Sequence, residues 1–150
     1  MSLPHHLPAP DNELLYDVNV SEKDALRIYY NKDANCIITR SIGFVYEQEL
    51  RTFLNKIIDF LGEKQINKLI VDLTYRQTYT EEDQNWIDKD WFPRALQAGL
   101  TYFGYVLPSD LFMQLSADEI LVKQKGNVNV IPFGQLTKAI EWIKEQGKEN

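Results

Sequence analysis

The feature that most constrains this chain is a short apolar stretch, Lys68-Leu-Ile-Val-Asp-Leu73, which follows a helical pattern. Its Leu-Ile-Val core does not alternate with polar residues, as expected for a strand covered on both faces. Before it, apolar residues recur at three- and four-residue spacings, which predicts a helix with Gly62 at its C-terminal cap. The residues of that stripe are Leu50, Phe53, Leu54, Ile57, Ile58 and Leu61. A helix leading into a doubly covered strand favours an α/β sheet.

The first part of the chain carries the signals of antiparallel pairing. Two β-rich runs, Leu26–Tyr30 and Cys36–Ile42, flank the turn-forming residues Asn31–Asn35. Two such runs joined by five turn formers predict a β-hairpin. Residues 13–18 are predicted to add a first edge strand beside it.

The rest of the chain alternates between strand and helix. Strands are predicted at Thr101–Leu107 and Val128–Ile131. Helices are predicted to start at Thr80, at Pro108 and before Leu136, with a capping box at Ser116 and Glu119. Pro93 is expected to end the first of these helices near Trp91-Phe92 and to open a short one that Gly99 closes. Strands alternating with helices pair in parallel through right-handed crossovers. The predicted fold class is therefore α/β, a mixed sheet with an N-terminal antiparallel hairpin and later parallel strands, with helices packed against it.

The length and composition fit a single folded domain. The chain has 150 residues, of which 44% are hydrophobic, so one core can form without disulfides. We expect one domain over 13–147, preceded by a flexible arm over 1–12 that has three prolines and no apolar signal core. The only histidines, His5 and His6, lie in that arm, which removes His-based catalysis from the folded body. These features predict a cytoplasmic protein.

The charge and the single cysteine argue against several classes of function. The net charge is −6 and the basic residues are scattered, so we expect no nucleic-acid partner and no anionic membrane surface. No apolar run is long enough for a membrane span. Cys36 lies in an apolar run and is expected to be a buried, inert thiol. Because no phosphate-binding loop, nucleophile elbow or metal-ligand spacing occurs, we expect no cofactor, no metal and no enzymatic activity. An enzyme that uses carboxylates alone is the remaining catalytic alternative.

The stretch Val71–Asp83 is the most informative for function, because a hydroxyl-rich loop leads from a buried strand to a helix start. Ligands bind at the carboxyl ends of strands in open α/β sheets, and free helix N–H groups favour anions. This predicts a small binding or phosphorylation locus formed by Asp72, Thr74, Thr78 and Thr80. The structural alternative is that Thr80 caps the helix, Asp72 satisfies loop amides and the acids at 81–83 are solvated. No ligand spacing supports a Mg²⁺ site of Asp72 with Asp83.

An aromatic and basic cluster follows directly in the sequence. It consists of Trp86, Trp91, Phe92 and Arg94. Aromatic residues and arginine are enriched at interface hot spots, which predicts a partner-binding surface at Trp86, Trp91 and Arg94. The alternative is that the same aromatic residues are core anchors.

The order of these elements resembles the STAS superfamily, the fold of bacterial anti-sigma-factor antagonists. The strand, loop and helix of Leu69–Trp86, placed after a hairpin and a helix, carry the resemblance, which extends over about residues 24–146. More narrowly, several segments resemble an uncharacterised bacterial STAS-like family: Ile70–Leu73, Asp83–Trp86, Asp90-Trp-Phe-Pro-Arg94, and Gly99 leading into Tyr102–Pro108. The antagonists present an Asp-Ser-Ser or Asp-Ser-Gly sequence at a helix start, where a kinase phosphorylates the serine. Here the corresponding stretch is Gln77-Thr-Tyr-Thr-Glu-Glu82, so phosphoregulation does not carry over.

The resemblance and the missing catalytic groups lead to one expectation about function and one alternative. We expect a non-catalytic regulatory or protein-interaction module that binds a protein partner or a second copy of itself as a homodimer. The alternative is a small-molecule or lipid-binding domain, because CRAL-TRIO lipid carriers share a related sheet arrangement. That alternative requires an apolar groove between a helix and the sheet.

Overall fold

The computed structural model describes residues 6–8, 10–77, 79–114, 123–125 and 128–148, and it has a seven-stranded mixed sheet. The strands are β1 (Asn12–Asn19), β2 (Ala25–Asn31), β3 (Cys36–Ile42), β4 (Lys68–Asp72), β5 (Tyr102–Val106), β6 (Lys123–Lys125) and β7 (Val128–Phe133). The helices are α1 (Glu47–Lys64), α2 (Glu81–Trp86), α3 (Phe92–Gln97), α4 (Ser109–Met113) and α5 (Leu136–Glu145). The strand order is β1-β2-β3-β4-β5-β7-β6. The predicted α/β fold class is confirmed.

The antiparallel hairpin and the edge strand are where the sequence places them. β2 pairs with β3 from Asn31 opposite Cys36 to Ala25 opposite Ile42. Asn31 Oδ1 accepts a hydrogen bond of 2.8 Å from the amide of Ala34, which closes the predicted turn. β1 pairs antiparallel with β2 at the sheet edge, with a change of register between Leu14 and Tyr16.

The predicted central strand, β4, lies between two parallel neighbours. It pairs with β3 on one side and with β5 on the other, both in parallel. Its successive residues Leu69 and Ile70 point to opposite faces of the sheet, and both side chains are fully buried. The continuous apolar run therefore reflects burial on both faces, as its pattern indicated.

Each face of the sheet has its own apolar core. On one face, α1 and the segment through α3 pack against β2, β3 and β4, with Leu50, Ile57, Trp91 and Ala95 among the buried side chains. On the other face, Ala139 and Ile143 of α5 pack against Tyr29, Ile38, Ile70 and Val106. The two layers of helices hold the carboxyl ends of the parallel strands in fixed positions.

The C-terminal cap of α1 differs from the prediction that placed Gly62 there. The helix continues to Lys64, and Gln65 adopts the left-handed conformation with φ of 54°. The amide of Ile66 then donates to the carbonyl oxygen of Leu61, so the buried Ile66 side chain closes the helix end. The buried Ile66 lies beyond Gly62, so α1 extends past the glycine before the chain turns.

The sequence predicted that Pro93 ends the preceding helix, and this prediction is wrong. A π-helical turn, Ile87–Trp91, joins α2 to α3 without a break, and the amide of Phe92 donates to the carbonyl oxygen of Ile87. The wider turn changes the hydrogen-bonding partners just before Pro93, where the proline has no N–H to donate. α3 ends as predicted, with Gly99 at a φ of 105°.

The end of the sheet beyond β5 holds one strand that the sequence did not predict. β6 pairs antiparallel with β7, from Lys123 opposite Val130 to Lys125 opposite Val128. Its sequence, Lys-Gln-Lys, has no apolar alternation, so no pattern predicted a strand there. The predicted capping box at Ser116 and Glu119 lies outside the described residues.

The part of the N-terminal arm that is described contacts the folded body. His6 Nδ1 lies 2.9 Å from the hydroxyl oxygen of Tyr29, and His6 Nε2 lies 3.7 Å from Asp17 Oδ2. The amide of Leu7 also donates to the Tyr29 hydroxyl oxygen. His6 of the arm thus contacts the folded body, since the buried Tyr29 hydroxyl takes polar partners from the arm.

Candidate functional site

The predicted locus at the end of β4 is built around a buried carboxylate. Asp72 is 1% exposed, and its Oδ2 accepts a hydrogen bond of 3.0 Å from Arg40 Nε. Its Oδ1 accepts from both the amide and the hydroxyl of Thr74, at 3.0 Å and 2.5 Å. The structure thus brings Asp72 and Thr74 together, and they bind each other. This is the arrangement of the structural alternative, in which Asp72 satisfies a loop amide.

Asp72 also ends a row of charged side chains that crosses four strands. Asp17 of β1, Arg27 of β2, Arg40 of β3 and Asp72 of β4 are cross-strand partners in register. Arg27 is fully buried and its Nε lies 3.3 Å from Asp17 Oδ1. Sequence reasoning missed this row, because a charge partner on another strand becomes visible only when the register is known. Two cations and two anions side by side compensate one another, as buried charges require.

Arg76 ties the loop after β4 to the loop after β3. Its Nη1 donates to Ser41 Oγ at 2.7 Å and its Nη2 donates to the carbonyl oxygen of Val45 at 2.6 Å. Its guanidinium carbon lies 3.8 Å from the centroid of the Tyr79 ring. Burial lowers the pKa of Arg76 and raises the pKa of Tyr79. Sequence reasoning did not select Arg76, since a lone arginine in a polar loop carries no local signal.

The start of α2 confirms the predicted cap and corrects the reading of the acidic residues after it. Thr80 Oγ1 accepts a hydrogen bond of 3.1 Å from the amide of Asp83. Asp83 is 1% exposed, so the expectation that all three acids are solvated is wrong for this residue. Its Oδ2 accepts from the amide of Glu47, and its Oδ1 lies 3.7 Å from Arg51 Nη2. Asp83 therefore joins α2 to the start of α1. Thr78 lies outside the described residues.

The aromatic and basic cluster is divided between the core and the surface. Trp91 is 2% exposed and its Nε1 donates to the carbonyl oxygen of Leu54 at 2.7 Å, so it is a core anchor in this structure. Arg94 lies half-exposed above the ring of Trp86, 5.7 Å from its centroid, and Arg51 lies 5.1 Å from the same ring. The partly buried Trp86 ring thus lies within cation–π distance of two guanidinium groups.

Three aromatic side chains that sequence reasoning missed are exposed near the ends of β3 and β4. Phe44, Tyr46 and Tyr75 are 37%, 46% and 39% exposed. Phe44 and Tyr46 flank the buried Val45, and their ring centroids are 5.0 Å apart. We call Phe44, Tyr46, Tyr75 and the adjacent Glu47 and Glu49 the aromatic surface. The alternation of two aromatic residues around a buried valine is the signal that could have found it.

The backbone that carries the aromatic surface is held at several points. The amide of Gly43 donates to the carbonyl oxygen of Tyr75, and the amide of Phe44 donates to Asp24 Oδ1 at 2.8 Å. Gly43 has a φ of 79°, and a Cβ atom there would lie 2.0 Å from Asp24 Oδ1. Only glycine fits this close approach, which fixes the direction in which Phe44 leaves β3.

Two open grooves flank α4 at the carboxyl ends of the parallel strands. One groove, of about 420 Å³, lies against Phe112, Met113 and Phe133. The other, of about 270 Å³, is lined by Leu73, Arg76, Gln77, Tyr79, Leu107, Pro108 and Leu111. We call the second one the Arg76 groove. Neither groove was predicted residue by residue, because the two loops that form them are distant in sequence.

Comparison with known proteins gives a solved structure of low similarity to this chain. No protein-family model and no curated protein matches the chain. One similar solved structure is that of an uncharacterized protein from the DUF3478 family with a SpoIIAA-like fold, from Shewanella loihica PV-4. The two chains are 8% identical, the alignment covers 92% of this chain and 99% of that chain, and the TM-score is 0.43. Within the described residues, every helix is too short or too polar to cross a bilayer.

Proposed function

We propose that this chain is a non-catalytic interaction module that binds a protein partner through the aromatic surface. The observation that supports this most directly is the exposure of Phe44, Tyr46 and Tyr75 on one hydrogen-bonded frame. Exposed aromatic side chains with few rotatable bonds lose little conformational entropy on binding, so they serve well as interface anchors. A frame that is already in place lowers the cost of association further.

The partner that fits this surface carries basic side chains. Glu47 and Glu49 are exposed beside Phe44 and Tyr46, and the whole chain has a net charge of −6. Carboxylates attract Lys and Arg side chains, and the faces of the Phe44 and Tyr46 rings suit the same cations. The Tyr75 ring already has the guanidinium carbon of Arg40 5.3 Å from its centroid. We therefore propose a basic peptide segment as the occupant, and a second copy of this acidic chain as the less complementary one.

The buried carboxylates of the locus support a positional role. Asp72 is bound by Arg40 and Thr74, and Asp83 is bound by the amide of Glu47 beside Arg51. In the proposed function these groups hold the frame, and the aromatic surface makes the contacts.

Selection of binding peptides tests this proposal. Random peptides displayed on phage are selected against the intact protein, and the affinity of the enriched peptides is measured by calorimetry. We expect enriched peptides with Lys or Arg, and a loss of affinity of about tenfold or more in the double variant Phe44→Ala/Tyr46→Ala.

The matched control is Leu14→Ala/Val18→Ala, which removes two exposed apolar side chains of β1 with similar exposure. This control is expected to keep the affinity. The proposal fails if the enriched peptides are not basic, if none is enriched, or if both double variants bind as well as the unmodified protein. Light scattering of the pure protein separates self-association from peptide binding.

The larger groove beside α4 favours a second candidate function, the binding of a small apolar ligand. Its walls are almost entirely apolar, with Phe112, Met113 and Phe133 among them, and an apolar concave surface is the usual setting for such a ligand. Native mass spectrometry of the purified protein tests this candidate. A co-purified ligand of fixed mass supports it, and a bare chain in every preparation counts against it.

A further inference from the structure

The Arg76 groove combines apolar walls with a guanidinium group whose donors are not all used. An arginine has five N–H donors, and Arg76 uses its two Nη atoms on Ser41 Oγ and on the carbonyl oxygen of Val45. Its buried Nε atom has no hydrogen-bond acceptor within the described ranges. A buried donor without an acceptor costs free energy, so this arrangement favours an additional acceptor.

Arg76 also lacks an acidic partner at ion-pair distance, as far as the described residues go. Each ion pair of Asp72 and Asp83 is made with another arginine, Arg40 or Arg51. Asp83 is near enough to raise the pKa of Arg76, against the larger effect of burial. The groups that face the Arg76 guanidinium directly are a hydroxyl, a carbonyl and the Tyr79 ring, all of them neutral. A partly buried cation with only neutral partners attracts an anion.

The rest of the groove is suited to a short hydrocarbon chain. Leu73 follows β4 and Leu107 follows β5, and the amide of Leu73 donates to the carbonyl oxygen of Val106, which fixes the two loops side by side. Leu111 of α4 forms part of the wall and is 49% exposed. The volume of about 270 Å³ lies just below the range of about 300–1,000 Å³ that is usual for drug-sized ligands. A small ligand fits it, at the end of parallel strands where α/β sheets bind ligands.

We propose that the Arg76 groove binds a carboxylate on a short apolar stem, with the carboxylate at Arg76 and the stem against Leu73, Leu107 and Leu111. This goes beyond the proposed protein-binding function, because it concerns a different surface and a different kind of ligand. The same chemistry is offered by a short fatty acid and by the C-terminal residue of a peptide. Carboxylate and guanidinium match each other in charge and in planar geometry.

Nuclear magnetic resonance titration of the full chain tests the proposal with three probes. Hexanoate represents the fatty acid, and N-acetyl-leucine represents the peptide terminus. The control is 1-hexanol, which has six carbons like hexanoate and no charge. We expect hexanoate or N-acetyl-leucine to bind about tenfold or more tightly than 1-hexanol, and to shift the Arg76 Nε–H resonance. The proposal is overturned if neither carboxylate binds more tightly than 1-hexanol, or if neither carboxylate binds at all.

Two variants locate the binding, and one control accompanies them. Arg76→Met removes the charge, and Leu111→Asp places a carboxylate in the groove wall without touching the Arg76 hydrogen bonds. Leu14→Asp is the matched control, because Leu14 is 45% exposed and lies on β1. Leu111→Asp is expected to weaken carboxylate binding by about tenfold or more, whereas Leu14→Asp leaves it unchanged.

The variants test ligand binding at the Arg76 groove independently of peptide binding at the aromatic surface. If Arg76→Met does not fold, Leu111→Asp still gives the answer, since its side chain is half-exposed. Carboxylate binding that survives in Leu111→Asp places the ligand elsewhere and overturns this inference. The aromatic surface is unchanged in Leu111→Asp, so selected basic peptides still bind this variant if the proposed function holds.

Discussion

At the scale of single residues, the polar side chains of the candidate site stabilise the loops around it. Asp72 and Asp83 are the two carboxylates of this region that the fold buries, and each accepts from a backbone amide and faces an arginine. Sequence patterns identified Asp72 by its place after an apolar strand. They could not identify Asp83, because its partners Glu47 and Arg51 are more than 30 positions away in the chain.

Removal of the Asp72 carboxylate is predicted to destabilise the fold strongly. In Asp72→Ala, Arg40 loses its buried carboxylate and Thr74 loses two hydrogen bonds, so we expect a loss of about 3 kcal/mol or more in the free energy of unfolding. Urea denaturation measures it. Asp90→Ala is the control, since it breaks an exposed ion pair with Arg94 and should cost less than about 1 kcal/mol. Equal losses in the two variants would show that the Asp72 network adds nothing.

Cys36 gives a prediction about stability at high pH. Burial raises the pKa of the Cys36 thiol from 9.0 to about 12, so the unfolded chain loses this proton at a lower pH than the folded protein does. The stability that depends on the protonated thiol is complete below pH 9.0 and is lost as the pH rises towards 12. Between pH 8 and pH 10.5 we expect a loss of about 2 kcal/mol in the unmodified protein that Cys36→Ala does not show.

Urea denaturation of both proteins at the two pH values measures that difference. Tyr79 and Tyr16 also have raised pKa values because of burial, and they are present in both proteins, so their contribution cancels. Parallel losses in the two proteins would contradict the assignment to Cys36.

At the scale of elements, local sequence signals placed the cores of helices and strands, and tertiary contacts moved their ends. Glycine is common at helix C-termini, yet α1 continues past Gly62 to Lys64, because Ile66 is buried beyond it. Proline usually ends a helix, yet a π-helical turn continues the helix up to Pro93. The Trp91 side chain in this turn donates a hydrogen bond to the carbonyl oxygen of Leu54. In both places, packing outweighs propensity.

Gly62, in the last turn of α1, and Gly43, before the helix, are predicted to respond in opposite ways to the same substitution. At Gly62, a Cβ atom would meet no atom within 4 Å, so Gly62→Ala should stabilise the helix by about 0.5–1 kcal/mol. At Gly43, a Cβ atom would collide with Asp24 and the φ of 79° adds strain, so Gly43→Ala should destabilise the protein by more than about 1 kcal/mol. Thermal denaturation of both variants decides. A gain in stability at Gly43 would contradict the close approach described for it.

At the scale of the whole molecule, the sequence was sufficient to predict the class of sheet and the central position of β4. The hydrophobic run of Leu69–Val71 predicted burial on both faces, and the alternation of strands with helices predicted parallel pairing around it. The function-bearing surfaces were less predictable, because each is assembled from loops that follow different strands. The aromatic surface joins the loops after β3 and β4, and the Arg76 groove joins those after β4 and β5.

In the proposed function, a partner contacts the aromatic surface at the ends of β3 and β4. The most direct measurement is nitrogen-proton correlation spectroscopy of the labelled protein, with and without a peptide selected for binding. We predict that the largest resonance shifts fall at Val20, over 43–49 and at Tyr75. Largest shifts along β1, or around Trp86 and Arg94, would contradict the claim.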